Sequence, residues 1–512
     1  MPIRHRRPVV AAALALLLPL TLVPLGGCSI VGTTSGSEED VDPELATFYG
    51  QSPDWEPCAD NTSLDCATVA APLDWSEPDG DSIELALVRA SATGTKIGTV
   101  FVNPGGPGGS GVDWIVNGGP TAAVTSDVLE HFDLISWDPR GVGASSAVDC
   151  GTDAELDHFF YDIDPTEPEL GTDAWFDWAN EQDAEFAAAC EAGTGELLGH
   201  ISTEDSARDL DMLRAIARSR TLTYVGYSYG TLLGATYAEL FPERAGRMVL
   251  DGAVDPAEDY VTSAAEQTAA FDAALESYLG WCLTQSDCPF SGGVDDALAL
   301  IQRLYDALDA SPLLGADGRE LGSDTMEMAV DAMLYDEDNW TYLSQGFAAT
   351  LAGDPTMAFA LADYYTDRDE SGHYASNLMV AFSAIMCLDY EAQATPDEVR
   401  AALAADGHDY LFADEAPGYA AMDCNEWPYP ASREAGPIAA SGSGDILVLG
   451  TTGDPATPYA SSVALAEELD NGHLVTRSGE GHTAYDGGNS CIDATVDAFL
   501  LEGTVPASDP QC

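Results

Sequence analysis

The sequence predicts an α/β fold, a mostly parallel sheet with helices on both faces and a large helical lid insertion. Three observations carry this expectation. Short apolar runs with strand character recur at 83–88, 98–103, 132–137, 222–226, 248–251, 446–450 and 474–477, and helix-like segments separate several of them. The rhythm breaks between about 255 and 442, where Ala/Leu-rich helix-like segments at 264–279, 295–308, 340–352 and 357–365 follow one another with few strand signals. Finally, Gly226-Tyr227-Ser228-Tyr229-Gly230 lies between the apolar run 222–225 and a helix-like segment starting at Thr231. That reads as strand, sharp turn and helix, with a serine at the apex.

At the amino end, Arg4, Arg6 and Arg7 precede an apolar run at 9–24 that closes on Leu25-Gly26-Gly27-Cys28. The run is too short and wrongly flanked for a stable membrane span, and it reads as an export signal over 1–27. Small residues directly before Cys28 resemble a bacterial lipobox, in which the cysteine is acylated and becomes the first mature residue. Residues 28–50 then form a polar, flexible tether. The expected location is outside the cell, on the outer face of the membrane through a lipid at Cys28, or secreted. The expected body is a sheet core over 51–255 and 440–512, with the lid over 256–439 covering the carboxyl ends of the strands, where open α/β sheets bind ligands. Within the core, Ser202 with Asp205 resembles a capping box, and Leu210, Leu213 and Ile216 give that helix an apolar stripe.

Composition narrows the partners. Of 512 residues, 46% are hydrophobic, enough for a full core. Basic residues number 18 against 87 acidic ones, Lys96 is the only lysine, and the formal net charge is −69. Such a surface repels nucleic acid, so no nucleic-acid partner is expected. The acids are spread along the chain and read as a solvated surface. There are 11 cysteines, and setting Cys28 aside leaves an even number in a chain built for an oxidising compartment. Spacing suggests Cys58–Cys66 and Cys282–Cys288. Cys150–Cys190, Cys387–Cys424 and Cys491–Cys512 complete one plausible set, with connectivity left open. Clustered Cys/His spacing is missing, so no metal or other cofactor is expected.

The chemistry starts at Ser228. A tight glycine-flanked turn pushes its hydroxyl outward at the positive end of a helix, but a serine is a poor nucleophile without a base and an acid to orient that base. Enzymes with this elbow carry the three groups in the order Ser, Asp or Glu, His. Beyond Ser228 the histidines are His373, His408, His473 and His482. His473 opens a strand, and His373 and His408 fall in the lid. His482 sits in the Gly-rich loop Ser478-Gly479-Glu480-Gly481-His482, just after a strand, and is the expected base. Asp454, in Gly453-Asp454-Pro455-Ala456-Thr457-Pro458 at the end of the preceding strand, is the expected acid. Glu480 and Asp486 share the histidine's own loop and are less suited. The loop Asn103-Pro104-Gly105-Gly106-Pro107-Gly108-Gly109 follows a strand, and its missing side chains let N–H groups approach a developing oxyanion. Gly106 is the expected donor, with Gly105 as the fallback, beside the N–H of Tyr229. In Asp138-Pro139-Arg140-Gly141, a structural turn held by an Asp–Arg interaction is expected. Surrounding acids should raise the pKa of His482, so activity should fall sharply below neutral pH.

These motifs together, Asn-Pro-Gly-Gly-Pro-Gly, Asp-Pro-Arg-Gly-Val-Gly, Gly-Tyr-Ser-Tyr-Gly-Thr, Gly-Asp-Pro-Ala-Thr-Pro and Gly-Glu-Gly-His, occur in the order found in a known group. From about Trp55 to Cys512 the chain resembles the secreted tripeptidyl aminopeptidase branch of the α/β-hydrolase serine peptidases, relatives of the proline iminopeptidases. The resemblance implies the triad Ser228, Asp454 and His482, a helical lid, and release of short peptides from a free amino end. The branch hosts both peptidases and esterases, so a carboxylesterase or lipase with the same triad is the alternative. A non-catalytic peptide-binding lipoprotein is the alternative of another class. An aminopeptidase also needs carboxylates for the substrate ammonium. Glu327 and Asp389 are candidates, each outweighed by the reading of an ordinary solvated surface acid.

Overall fold

Strands of this chain are short and apolar because most are covered on both faces. The computed structural model describes residues 42–405 and 417–512. Among the described residues, nine strands form the main sheet: β1 (Glu56–Pro57), β2 (Asp65–Pro72), β3 (Ser82–Ala90), β4 (Gly98–Asn103), β5 (Phe132–Trp137), β6 (Leu222–Tyr227), β7 (Ala245–Asp251), β8 (Ile446–Gly453) and β9 (Gly472–Glu480). Their spatial order is β1-β2-β3-β5-β4-β6-β7-β8-β9. The first three run antiparallel to their neighbours, and from β5 through β4, β6, β7 and β8 to β9 every pairing is parallel.

Alternation along each strand divides the core in two. Phe101, Tyr224, Leu250 and Val448 face one apolar layer, while Val100, Val102, Val225, Val249 and Leu449 face the other. Helix Thr203–Ile216 packs Leu210, Met212 and Leu213 into the first layer, and helix Ser490–Glu502 packs Ile492, Val496 and Phe499 into the second. The Ser202 side chain caps its helix by accepting the N–H of Asp205. Strand β2 escapes a reading by propensity. Its sequence, Asp-Cys-Ala-Thr-Val-Ala-Ala-Pro, is rich in alanine, and its eight-residue register with β3 makes it a strand.

Between β7 and β8 the chain forms helices Tyr260–Cys282, Val294–Ala310, Ser323–Leu334, Trp340–Leu351, Thr356–Thr366, Leu378–Asp389 and Pro396–Ala405, with a two-residue hairpin between Leu313–Leu314 and Glu320–Leu321. These helices belong to the same compact unit, Pro43–Cys512, as the sheet. Disulfides join Cys58 to Cys66, Cys150 to Cys190, Cys282 to Cys288, Cys387 to Cys424 and Cys491 to Cys512. The export signal, Cys28, most of the tether and His408 lie outside the described residues.

One expected contact is replaced. Asp138 does not pair with Arg140. It accepts from Ser110 Oγ, Val112 N and Ala144 N, at 2.7, 2.9 and 2.8 Å. Arg140 turns the other way and makes a two-pronged ion pair with Asp209, both side chains fully buried. The guanidinium also donates to the carbonyls of Pro72, Leu73 and His200. That fork satisfies every donor, which a turn Asp two residues away could not do.

Candidate active site

The strand ends of β4, β6, β7 and β8 lie side by side. Asn103 pairs with Gly226, Tyr227 with Asp251, and Leu449 with Asp251. Ser228 follows β6 with φ 55° and starts the helix Tyr229–Leu240. A non-glycine residue at this φ costs on the order of 1–3 kcal/mol, and the surroundings hold it there. Ser228 N donates to the Asp251 carbonyl at 2.8 Å, and the Ser228 carbonyl accepts from Thr231 N at 2.8 Å and Thr231 Oγ1 at 2.6 Å. The flanking glycines are sterically required. A Cβ on Gly226 would sit 2.3 Å from the Gly230 carbonyl oxygen, and one on Gly230 would sit 2.8 Å from Asn103 Oδ1.

Asp454 and His482 meet from adjacent strands. His482 Nδ1 lies 2.8 and 2.9 Å from the two Asp454 oxygens. Asp454 is 3% exposed, and it also accepts from Ala456 N, Thr457 N and Thr483 N at 3.0, 2.9 and 3.2 Å. A carboxylate so held keeps the proton on Nδ1 and leaves a lone pair on Nε2. His482 Nε2 is buried and has no hydrogen-bond partner, and the residue lines the same cavity as Ser228. The His482 main-chain N–H donates to the Tyr335 carbonyl at 2.8 Å, and the Tyr335 ring stands edge-on to the imidazole at 5.4 Å. Burial pulls the imidazole pKa down, but the charge and hydrogen bond of Asp454, with the charge of Asp251, outweigh it and hold the pKa above the ordinary value.

The glycine loop crosses the elbow. A Cβ on Gly105 would meet the Tyr227 carbonyl at 2.5 Å, Ser228 Cβ at 2.9 Å and Tyr229 N at 3.2 Å. Gly105 is buried against Ser228, and Gly106, at φ +111°, is exposed on the cavity wall beside the same residue. The two glycines thus differ in kind: one allows the close approach and the other faces the space a substrate would fill. The Tyr229 ring is buried, and its hydroxyl bonds to Thr203 Oγ1.

The cavity over Ser228 has a volume of about 470 Å³. The insertion supplies Tyr335, Tyr365, Leu378, Phe382, Met386 and Tyr390 to its walls. Neither ammonium candidate lines it. Asp389 is buried behind Tyr229, where it accepts from the N–H and hydroxyl of Thr203, and burial pushes its carboxyl up to about 6. Glu327 lines a separate small cavity with Asp331. His373 is exposed and pairs with Asp153, and His473 pairs with Asp445. Among the described residues no group of three or more His, Cys, Asp or Glu is placed to hold a metal ion.

Two site residues were not singled out in the sequence. Asn377 joins the insertion to the Asp138 turn, accepting from Gly143 N at 2.9 Å and donating to the Gly141 and Val148 carbonyls. Asp251 ends β7 fully buried, and its carboxylate accepts from Ala484 N and Tyr485 N at 3.0 and 2.8 Å. An acid closing the strand beside the elbow was the one available signal for Asp251.

Residues 410–512 match a family described as TAP-like protein. The chain is 34% identical to the serine protease Hip1 of Mycobacterium tuberculosis, covering 99% of each chain. It is 37% identical to carboxylesterase B of the same species, again over 99% of each chain. It is 31% identical to the tripeptidyl aminopeptidase of Streptomyces lividans, covering 90% of this chain and 86% of that protein.

Proposed function

Because the chain belongs to the tripeptidyl aminopeptidase-like branch of the α/β-hydrolase serine peptidases, we propose that it releases short peptides from the free amino end of its substrates through an acyl-Ser228 intermediate. One observation supports the reading above the others: an imidazole held by Asp454 on one side has a free Nε2 in the cavity that contains Ser228. His482 takes the Ser228 proton while Asp454 holds the ring and offsets the charge formed. Ser228 attacks the scissile carbonyl. The oxyanion rests on the N–H groups of Tyr229 and Gly106. His482 then protonates the leaving amine, and water, deprotonated by the same imidazole, clears the acyl group. The insertion over 256–439 acts as the lid that shapes the acyl and peptide subsites.

The carboxylesterase reading has its own support, in the apolar wall of Leu232, Leu378, Met379, Phe382 and Met386 and in the similarity to carboxylesterase B. A single comparison separates the two. A chromogenic tripeptide amide with a free amino end, its N-acetylated form and a short nitrophenyl ester are offered to wild type and Ser228→Ala. Cleavage of the free amide alone, lost in the variant, supports the aminopeptidase. Cleavage of the ester alone moves the assignment to an esterase, and equal rates from Ser228→Ala remove the mechanism.

The leader 1–27 and Cys28 support export and lipid anchoring of the mature chain on the outer face of the membrane. Mass spectrometry of the amino-terminal peptide tests this. A diacylglyceryl group on Cys28 is expected, and an unmodified residue at that position would refute it.

A further inference from the structure

Asp251 stands outside the Ser–Asp–His set and touches both of its ends. Its main-chain carbonyl accepts the N–H of Ser228 at 2.8 Å. Its Oδ2 accepts the N–H groups of Ala484 and Tyr485, just beyond His482. The next residue, Gly252, donates its N–H to the Leu449 carbonyl at 3.0 Å, on the strand that leads to Asp454. A Cβ on Gly252 would lie 3.1 Å from His482 Cε1, so the chain at this point runs directly against the imidazole.

The second oxygen of Asp251 has no hydrogen-bond partner, and the residue is fully buried. An unsatisfied buried carboxylate oxygen opposes folding through the loss of its hydration. The N–H groups of Ala484 and Tyr485 need only one oxygen, which a side chain without a charge could supply. A charge retained at such a place acts on a neighbour. The imidazole faces Asp454 from the loop after β8, Asp251 from β7 and the Tyr335 ring from the insertion. Arg477 of β9 donates to the Thr483 carbonyl at 3.0 Å and faces Glu480 of the same loop. Asp251 in turn faces Tyr227 from β6, Tyr485 from the histidine loop, Asp454 and His482.

We propose that Asp251 is a second positioning residue of this active site: its carbonyl seats the nucleophile, its carboxylate seats the histidine loop, and its buried charge stabilises the imidazolium formed when His482 takes the Ser228 proton. The proposal rests on the Ser228–His482 mechanism above. Burial pushes the Asp251 carboxyl up to about 6, so the charge is present at neutral pH and fades as pH falls through that value. The Asp251 charge helps hold the His482 pKa up, so removing it moves the acidic limb of the pH–rate profile down.

The experiment uses full-length protein carrying Asp251→Asn or Asp251→Ala, a short nitrophenyl ester, kcat and KM from pH 5 to 9, fluorophosphonate labelling and thermal melting. Asparagine keeps an acceptor for Ala484 and Tyr485. It should fold, leave KM unchanged, lower kcat about tenfold and move the acidic limb down by about half a pH unit. Alanine frees the loop and should lower kcat on the order of a hundredfold, with KM little changed. A folded Asp251→Asn with wild-type kcat and an unmoved acidic limb would overturn the electrostatic role. A folded Asp251→Ala with wild-type kcat would overturn the positioning role, and if alanine fails to fold, the asparagine variant alone decides. Unchanged activity of Ser228→Ala would instead sink the underlying mechanism, so the two failures are distinguishable.

Discussion

Replacing Asp454 by asparagine tests the acid–base arrangement with almost no change of shape. Asp454 Oδ1 accepts from Ala456 N and Thr457 N and lies 2.8 Å from His482 Nδ1, while Oδ2 accepts from Thr483 N and lies 2.9 Å from the same Nδ1. An asparagine that keeps its oxygen on the first pair must place its NH₂ against Thr483 N–H and the imidazole. Its oxygen still lies 2.8 Å from Nδ1, but the charge that fixed the proton there is gone and the NH₂ at the Oδ2 position meets Nδ1–H as a second donor, which favours the tautomer protonated on Nε2 with Nδ1 accepting from the NH₂. That tautomer cannot accept the Ser228 proton. The same substitution in an unrelated serine protease costs about 10⁴ in kcat, so a loss of about three to four decades is expected here. At 1.36 kcal/mol per decade this corresponds to about 4–5.5 kcal/mol of transition-state stabilisation. The sign of the pH effect follows as well. In the wild type the imidazole pKa lies above its ordinary value, so activity is lost as pH falls through that raised value. In the variant burial opposes the Asp251 charge alone, and the acidic limb moves to lower pH. The assay is kcat/KM on the tripeptide amide and the ester from pH 5 to 9, with circular dichroism and a melt to establish folding. A folded Asp454→Asn within tenfold of wild type, with its acidic limb unmoved, would refute the reasoning.

Three further outcomes follow from the packing. Gly226→Ala forces a Cβ to within 2.3 Å of a backbone oxygen that cannot rotate away, so the elbow must shift. Fluorophosphonate labelling of Ser228 should slow at least a hundredfold, and labelling at the wild-type rate would count against the steric argument. Arg140→Leu strands Asp209, fully buried and left with Trp75 Nε1 as its remaining side-chain donor. A loss of about 3–5 kcal/mol in urea unfolding is expected, and a loss under 1 kcal/mol would contradict it. Removing the Cys387–Cys424 bridge with paired serines reopens a loop of sequence separation 37 and should lower stability on the order of 3–4 kcal/mol. Unchanged denaturation of the double variant would show that the bridge does not constrain the unfolded chain.

Some of this protein is written in local sequence. Gly226 and Gly230 around Ser228 announce a turn because backbone crowding there depends on residues two apart, a distance any reader of the chain can see. Asp454 and His482 each follow an apolar run that becomes β8 or β9, so their place at a strand end is a local fact too. The glycines of 105–109 declare a close backbone approach for the same reason. Strand β2 was invisible because alanine carries little strand preference, and pairing with β3 supplies the order. Local sequence points Arg140 at the nearby Asp138, whereas the ion pair spans 69 residues to Asp209. Asp389, which the sequence presents as a solvated surface acid before a candidate for the substrate ammonium, is neither exposed nor in the cavity but buried against Thr203. The double role of Asp251 exists only because parallel register puts Tyr227, Asp251 and Leu449 at one level. Backbone sterics and periodicity act over a few residues, and they are legible in one dimension. Which carboxylate meets which donor is decided by register and layer packing, which join residues far apart in the chain, and only the folded sheet settles it.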